Sequence, residues 1–293
     1  MKIDLHIHSR ASDGQMSVEQ IFKEAARRNI DVISITDHDS LDSQEEAGHY
    51  AEEYGIGYLT GIELNVTYAH PGYKNGKSVS LDFLGYQYDI YDEPLREKLL
   101  QLREYREKRA EKILHNLNLE FQKSHLPAFT RADLETIQDA VDGSLGRPHI
   151  AEYLIRKGIV TDKQEAFDKF LVRCNVPKMP LSLAEASSLV REAGGKLFFA
   201  HPAHPRGTSL MSLGASIEEQ KSIIEEDMLP HLDGIECWHS STDRRTSDTY
   251  LEFTKRVGLW ASGGSDCHQQ PVLMGSVEVP AFVAEQFGFY LKP

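Results

Sequence analysis

The sequence predicts an α/β fold in which a parallel sheet or barrel is interrupted by an all-helical segment. Strand and helix patterns alternate between residues 2 and 64, and this alternation is typical of parallel sheets. Residues 89–194 then read mainly as helices, and apolar strand patterns return from residue 196 onward. We therefore expect one domain formed by residues 1–88 and 195–293, with residues 89–194 inserted between its two halves.

The first half of the chain predicts three strands and two helices before a hairpin. Residues 31–36 form an apolar, β-branched run bounded by polar residues, which predicts a buried strand. Residues 17–20, Ser-Val-Glu-Gln, form a capping box that predicts the start of a helix. Residues 66–88 predict a hairpin, because the segment 71–76 is rich in turn residues. The remaining predicted elements are strands at residues 2–6 and 58–64 and a helix at residues 43–54.

The inserted segment begins with a long charged helix pattern at residues 93–123. Its basic run at residues 103–112 is expected to be a solvated helix face, because Glu104, Glu107 and Glu111 alternate with the basic residues. After the insertion, strands are predicted at residues 196–200, 234–236 and 259–262, with helices between them.

Composition excludes several classes of protein. The chain has 293 residues, of which 40% are hydrophobic, so a sizeable core is expected. No apolar run is long enough for a transmembrane helix, and the N-terminal segment lacks the apolar region of a secretory signal. The net charge of −13 is opposite in sign to that of proteins that bind long duplex nucleic acid by surface charge. Three scattered cysteines favour a reducing, cytoplasmic setting.

Metal-type ligands follow five of the predicted strands. His6 and His8 end the first strand and share one face of it, because residues i and i+2 of a strand point the same way. Plain alternatives exist for residues at these strand ends. The His6–His8 pair could lie on a solvated edge, and Asp37, which directly precedes His38, could cap a turn. Five strand ends of this kind are improbable by chance, and they predict a polynuclear metal site. The remaining candidates at or near these strand ends are Asp13, His38, Glu63, His201, Asp266 and His268.

These motifs resemble those of the PHP family, named for polymerase and histidinol phosphatase. The resemblance runs through DLHIHSRASDG, ITDHDS, GIE, FAHP and GSDCH, and it covers essentially the whole chain. The inserted segment beginning Gly-Arg-Pro-His at residue 146 is similar to that of small bacterial proteins that hydrolyse nucleotide phosphates. The resemblance implies a distorted (β/α)7 TIM-like barrel, an inserted helical subdomain that caps the active site, and two to three divalent metals.

The resemblance also implies a distribution of the ligands. His6, His8, Glu63 and Asp266 would hold one metal; Asp13, His38 and His268 would hold another; and Glu63 would bridge to a further metal with His201. At residue 82 related chains often carry histidine, whereas this chain has Asp82. A carboxylate can still bind a hard or borderline metal, and His70 in the nearby loop is an alternative replacement for the missing imidazole.

The ligand types indicate the chemistry. Nitrogen and oxygen ligands without a committed thiolate suit Mn, Zn or Fe. Clustered divalent ions make hydroxide available near neutral pH, so the reaction needs no protein nucleophile. For the substrate, Arg147 and His149 of the insertion and Arg206 after the fourth ligand-bearing strand are candidate phosphate contacts, with His239 as a further candidate.

The main hypothesis is therefore a metal-dependent phosphoesterase that removes phosphate from small nucleotides, either nucleoside monophosphates or 3',5'-bisphosphates. An exonuclease-type phosphodiesterase acting in the 5'-to-3' direction on short oligonucleotides is the first alternative. Histidinol-phosphate hydrolysis, amide hydrolysis and a metal-retaining binding module of weak activity remain open. The expected partner is a small phosphorylated nucleotide or inorganic phosphate rather than a membrane or long duplex nucleic acid; the sequence indicates no oligomeric state.

Overall fold

The computed structural model describes residues 1–138, 145–205, 207–268 and 272–290. Its α/β architecture confirms the predicted fold class at that level. The strands are β1 (Ile3–Ile7), β2 (Val32–Ile35), β3 (Gly57–Tyr58), β4 (Gly61–Tyr68), β5 (Val79–Tyr86), β6 (Lys196–Phe199), β7 (Gly234–His239) and β8 (Trp260–Gly264). The helices are α1 (Val18–Arg27), α2 (Gln44–Tyr54), α3 (Glu93–Lys123), α4 (Arg131–Gln138), α5 (Arg147–Arg156), α6 (Lys163–Ala166), α7 (Leu183–Glu192), α8 (Ile217–Ile223), α9 (Arg244–Val257) and α10 (Phe282–Gln286).

The strands form two sheets. β1, β2 and β3 are parallel, whereas the second sheet has the order β4-β5-β6-β7-β8. β5 runs antiparallel to both β4 and β6, and β6, β7 and β8 are parallel. The predicted hairpin is confirmed, and it makes β5 an exception to the parallel arrangement. The connection from β4 to β5 is too short for a helical crossover, so the chain returns in the opposite direction.

Backbone contacts join the two sheets at both edges. At one edge, His8 N donates to Cys267 O at 3.0 Å and Asp266 N donates to His6 O at 2.8 Å. At the other edge, Asp39 N donates to Glu63 O at 2.9 Å, beside a bridge between His38 and Glu63. These contacts place the carboxyl ends of β1, β2 and β8 next to the start of β4, so the predicted ligand-bearing segments meet.

The apolar core has separate parts. One cluster packs α7 and the first half of α3 against the second sheet, through residues such as Leu99, Val190 and Phe199. Another consists of the second half of α3 with α4, α5 and α6, through residues such as Leu117 and Leu154. The helices of residues 89–194 therefore divide between the sheet core and a core of their own.

Helix α3 connects these two cores. It spans 31 residues, and Asp92 caps its start by accepting a hydrogen bond from Leu95 N at 2.9 Å. Charged residues occur along its whole length. Within the described part of the chain, no helix is both long enough and apolar enough to cross a membrane.

Candidate metal centre

The end of β1 brings two buried imidazoles together. The Nε2 atoms of His6 and His8 lie 3.1 Å apart, as expected from their shared strand face. The rings of His8 and His268 stack with centroids 3.9 Å apart. Such close packing of imidazole nitrogens in a buried site suits ligands that share cations.

Glu63 lies among four imidazoles. Its carboxylate oxygens are 3.6 Å from His6 Nε2, 3.3 Å from His8 Nε2, 3.0 Å from His38 Nδ1 and 3.1 Å from His201 Nε2. Burial alone would raise the pKa of Glu63, but these histidines hold it well below its ordinary value. The side chain is therefore an ionised carboxylate in a buried position, which is suited to bridging cations.

Two further carboxylates complete the cluster. Asp266 Oδ1 lies 3.3 Å from His6 Nε2 and 3.2 Å from His8 Nε2, and Asp13 Oδ1 lies 3.1 Å from His268 Nε2. Both Oδ1 atoms are buried and have no hydrogen-bond partner among the described residues. A buried carboxylate oxygen without a hydrogen bond is costly, so these atoms, which face imidazole nitrogens, fit a bound cation.

The histidines have pKa values that reflect the same demand for positive charge. Burial alone would lower the pKa of His8, but the carboxylates of Asp266 and Glu63 raise it to about 10. Burial alone would also lower the pKa of His201, but the carboxylate of Glu63 raises the pKa of His201 to about 9. Without metal, protons on these rings neutralise the carboxylates, and a divalent ion could take their place.

All nine predicted metal ligands lie in this one cluster. Four sets of side chains offer ligand atoms within 4.8 Å of one another: His8, Asp13, His38 and His268; His6, His239 and Asp266; His6, His8 and Glu63; and His38, Glu63 and Asp82. His201 joins them through its contact with Glu63. His239, predicted as a substrate contact, also offers a nitrogen to the cluster. Cys267 is buried in an apolar cluster beside Ile7 and Met274, and it belongs to none of these sets.

Asp82, rather than His70, lies at the cluster. Asp82 accepts hydrogen bonds from Asn65 Nδ2 at 2.5 Å and from Thr208 Oγ1, and these bonds hold it next to His38 and Glu63. His70 lies instead 3.8 Å from Asp227, with its ring against Tyr73. Of these two candidates, Asp82 is therefore the one that lies beside the cluster.

Two acidic residues support the site: Glu236, which the sequence analysis missed, and Asp37, for which it offered a structural role in a turn. Glu236 Oε1 accepts from His6 Nδ1 at 2.9 Å, and Glu236 Oε2 accepts from His201 N at 2.8 Å. This contact holds the Nε2 of His6 toward the cluster. Asp37 accepts from Ser9 N, Ser9 Oγ, Ser12 Oγ and Ser43 Oγ at 2.6–2.8 Å, so it organises the loop that carries Asp13. A lone carboxylate in the apolar strand β7 was the available signal for Glu236.

A cationic cavity of about 200 Å³ adjoins the cluster. Its lining includes Asp13, His38 and Asp82 of the cluster together with four basic residues: Arg106, Arg109, Arg147 and Lys178. Arg109 is buried and donates to Val176 O and Asn175 Oδ1, and Arg106 is paired with Asp39. Four cations around one cavity in a chain of net charge −13 form a local site for an anion.

Arg106 and Arg109 contradict the prediction that residues 103–112 form a solvated face. Arg109 is only 4% exposed, although Arg103 and Lys108 of the same run are exposed. The physical reason is helical spacing, because residues three apart share a face and this face turns toward the cavity. The alternating glutamates predicted exposure for the whole basic run, but they indicate exposure only of the opposite face of α3.

Arg147 and His149 lie at the start of α5. Arg147 offers a cation to the cavity, whereas His149 makes hydrogen bonds within the protein. Arg147 lies over the Phe167 ring at 5.2 Å and lines the cavity. His149 Nδ1 accepts from Gly146 N at 2.9 Å, so its Nε2 carries the proton and donates to Ser12 O at 2.9 Å. Both ring nitrogens of His149 are therefore engaged within the protein, next to the loop of Asp13. Arg206, the third predicted phosphate contact, lies outside the described residues.

Known proteins are similar in sequence to most of this chain. The PHP domain family matches residues 4–171. The 5'-3' exoribonuclease Rnm of Salmonella typhimurium is 26% identical over 274 residues, which cover 91% of this chain and 85% of that protein. A 3',5'-nucleoside bisphosphate phosphatase of Chromobacterium violaceum is 27% identical over 278 residues, which cover 91% of this chain and 87% of that protein.

Two solved structures superpose on nearly the whole of this chain. A protein described as a metal-dependent phosphoesterase from Bifidobacterium adolescentis superposes with a TM-score of 0.79 at 26% identity, covering 97% of this chain and 94% of that one. A protein described as an amidohydrolase from Chromobacterium violaceum, with bound sulfate, superposes with a TM-score of 0.77 at 27% identity, covering 96% of this chain and 93% of that one.

Proposed function

Because the chain belongs to the PHP domain family of phosphoesterases, we propose that it hydrolyses phosphate monoesters of small nucleotides with the help of divalent metals. One observation carries the proposal: a cluster of buried histidines and carboxylates opens into a cavity lined by four basic side chains. The cluster suits cations and the cavity suits an anion. A phosphate ester in the cavity would therefore contact the metal ions on one side and the basic side chains on the other.

The proposed ligands follow the contacts of the cluster. One ion would be held by His6, His8, Glu63 and Asp266, and a second by Asp13, His38 and His268. A third would be held by Glu63, His201 and Asp82, so the proposal includes two to three ions. The unpartnered oxygens of Asp13 and Asp266 support this assignment.

The ligand atoms suit Mn, Zn or Fe, since they are imidazole nitrogens and carboxylate oxygens without thiolate. When bound, such ions lower the pKa of water and screen the charge of the phosphoryl group. The protein's own residues orient the substrate and contribute no nucleophile. Arg147 and Arg109 are placed to hold phosphoryl oxygens from the cap side, and His149 fixes the loop of Asp13.

The proposal includes a distorted (β/α)7 barrel made by residues 1–88 and 195–293. Contacts that join the two sheets at both edges support it, as does the succession of β3 and β4 as two parts of one broken strand. Residues 89–194 would form the cap, which is supported by the separate core of α4, α5 and α6 and by the position of Arg147.

Nucleoside monophosphates and 3',5'-bisphosphates are the proposed substrates, and the bisphosphate phosphatase among the relatives supports the second class. The small cavity and the acidic net charge disfavour long duplex nucleic acid. The cytoplasmic setting stays a prediction from the cysteine content. A second candidate is 5'-to-3' trimming of short oligonucleotides, which is favoured by the exoribonucleases among the relatives.

The test is a product assay with Mn-loaded protein. A nucleoside monophosphate, a 3',5'-bisphosphate and a 5'-phosphorylated oligoribonucleotide would each be incubated with the protein and with His8→Ala. The exposed His49→Ala provides a matched control. Release of inorganic phosphate from the first two substrates supports the proposal, whereas mononucleotides released from the third support the second candidate. Hydrolysis of none of the three would contradict both.

A further inference from the structure

Lys178 lies in the cationic cavity and has no hydrogen-bond or ion-pair partner among the described residues. It belongs to the segment before α7, and its side chain lines the cavity together with Asp13, His38 and Asp82. A lysine side chain that is largely enclosed and unpartnered costs free energy, so its position calls for a ligand or a reaction.

The charges that face Lys178 come from several elements. Arg106 and Arg109 of α3 and Arg147 of α5 repel its ammonium form, whereas Asp82 of β5 attracts it. The other charged or titratable groups around Lys178 are Asp13, His38, His149, Asp39, which is paired with Arg106, and Tyr105, whose hydroxyl donates to Pro177 O. Burial, reinforced by the three arginines, lowers the pKa of Lys178 to about 7.

The remaining groups of the cavity are unsuited to proton donation. Arginine keeps its proton near neutral pH. Asp13, His38 and Asp82 belong to the proposed metal cluster. Both ring nitrogens of His149 are engaged by Gly146 and Ser12. Among the described residues that line the cavity, Lys178 is therefore the one titratable donor outside the cluster with its N–H groups free.

We propose that Lys178 is a catalytic residue that donates a proton to the leaving oxygen when the phosphate ester is hydrolysed. The proposal rests on the proposed function, since it concerns the same site. It assigns the arginines to holding the phosphoryl group and Lys178 to the atom that leaves it.

In this step, water replaces the ester oxygen at phosphorus, and Lys178 supplies the proton that the leaving oxygen takes up. The oxygen of water bonds to phosphorus, and the bond from phosphorus to the ester oxygen breaks with its electron pair going to that oxygen. Nζ of Lys178 gives this oxygen a proton, which yields a neutral alcohol and a neutral amine. The attacking water releases one proton to solvent, and Lys178 regains one from solvent. A phosphate dianion in the cavity favours the ammonium form before the step, because it adds negative charge beside Nζ.

Two esters with different leaving groups test the proposal. A ribose hydroxyl is a poor leaving group and needs a proton, whereas 4-nitrophenolate leaves without one. For Lys178→Ala we expect kcat to fall by about 100-fold or more on the nucleotide, in the range of general acid catalysis. The loss on 4-nitrophenyl phosphate should be at least about tenfold smaller. An equal loss on both esters would overturn the proposal.

Lys178→Arg separates proton donation from charge. This variant keeps a positive charge in the cavity but does not release a proton. We expect it to restore KM toward the normal value while kcat on the nucleotide stays low. Recovery of kcat with arginine would show that Lys178 acts only as an anion contact, which overturns the proposal. Metal content, measured in the same samples, must equal that of the unchanged protein.

A second readout does not depend on activity. The metal-loaded protein would be acetylated with trace acetic anhydride at a series of pH values, and the labelling of Lys178 would be compared by mass spectrometry with that of the exposed Lys108. We expect the reactivity of Lys178 to rise at a lower pH than that of Lys108, because burial and the neighbouring arginines lower the pKa of Lys178. Matching midpoints would overturn the proposal. If metal-loaded, unchanged protein hydrolyses neither ester, the proposed function fails. If the unchanged protein hydrolyses both esters and the Lys178 variants lose equal activity on both, only the role of Lys178 fails.

Discussion

At the residue scale, the metal cluster depends on carboxylates that orient imidazoles. His6 is held from behind by Glu236, which accepts from Nδ1 at 2.9 Å while Nε2 points to Glu63 and Asp266. A carboxylate in this position fixes the tautomer and orientation of the ring, and it makes the other nitrogen a better ligand. The contact is buried, so water does not replace it easily.

Glu236→Gln should therefore weaken metal binding. The amide accepts a weaker hydrogen bond from His6, and it places an N–H group near either His6 or His201 N. Loss of such a supporting carboxylate reduces metal affinity by roughly 10–100-fold. Titration of metal-free protein with Mn in a calorimeter measures this effect. The exposed Glu252→Gln is the matched control, and an affinity of Glu236→Gln equal to that of the control would contradict the role of Glu236.

His8→Ala should have a larger effect, because His8 contributes a ligand atom itself. We expect metal content to fall and activity to decrease by at least about 100-fold, since supporting residues alone account for up to that much. The fold should persist, which circular dichroism would check. Full metal content in a folded His8→Ala variant would remove His8 from the ligand set.

The convergence of the proposed ligand residues could be predicted from sequence, whereas on the cationic side of the cavity only Arg147 was predicted. Proposed ligands such as His8 and Asp266 follow strands, and the carboxyl ends of parallel strands gather at one rim. Arg109 and Lys178 come from a helix and an irregular segment of the insertion. Their placement depends on how the insertion packs against the sheets, which sequence periodicity alone does not determine.

At the element scale, the seam between β1 and β8 positions the first ligands. Gly264 ends β8, and a Cβ at this position would lie 2.4 Å from both Cβ and N of His6. The glycine therefore lets the two strands approach closely. Asp4 reinforces the seam by accepting from Ser265 N at 2.8 Å and from Gly275 N at 2.7 Å.

Gly264→Ala should separate these strands and displace His6. Such overpacking costs about 1–3 kcal/mol of unfolding free energy, and the moved histidine should also lower metal affinity. Urea unfolding and metal titration measure the two effects. Gly48→Ala in α2 is the matched control, because its Cβ would meet nothing within 4 Å and a glycine in a helix costs about 0.5–1 kcal/mol relative to alanine. Equal stability of the two variants would contradict the importance of this seam.

Element types were easier to predict than their divisions. The apolar run at residues 31–36 became β2, and the capping box at Ser17 is present, with Gln20 Oε1 accepting from Ser17 N at 2.9 Å. The strand expected at residues 58–64 instead divides into β3 and β4, which pair in different sheets. Pairing partners decide such a break, and a single sequence does not identify them.

At the scale of the whole molecule, the metal-free protein should have a pH-dependent stability that metal reduces. The pKa values of His8 and His201 lie above their ordinary value of 6.5, at about 10 and about 9. Their contribution is fully present below pH 6.5 and is lost as pH rises through these values. The pKa values of Glu63, Asp13 and Asp266 are lowered by nearby histidines despite burial, so their contribution is lost as pH falls through the acidic range.

For EDTA-treated protein we therefore expect the unfolding free energy to fall by at least about 2 kcal/mol between pH 6.5 and pH 10. Metal-loaded protein should lose less over this range, because metal binding uses neutral imidazoles and ionised carboxylates. Urea unfolding monitored by tryptophan fluorescence would provide both curves. Parallel curves would contradict the view that protons and metal compete for the cluster.

The proposed function requires cations to gather where distant parts of the chain meet. Diffraction at the manganese absorption edge, from crystals grown with Mn, tests this most directly. We expect two or three anomalous peaks among the imidazoles and carboxylates around Glu63, each within about 2.5 Å of its nitrogen or oxygen ligands. An anomalous map without a peak in that cluster, from fully supplied crystals, would contradict the account.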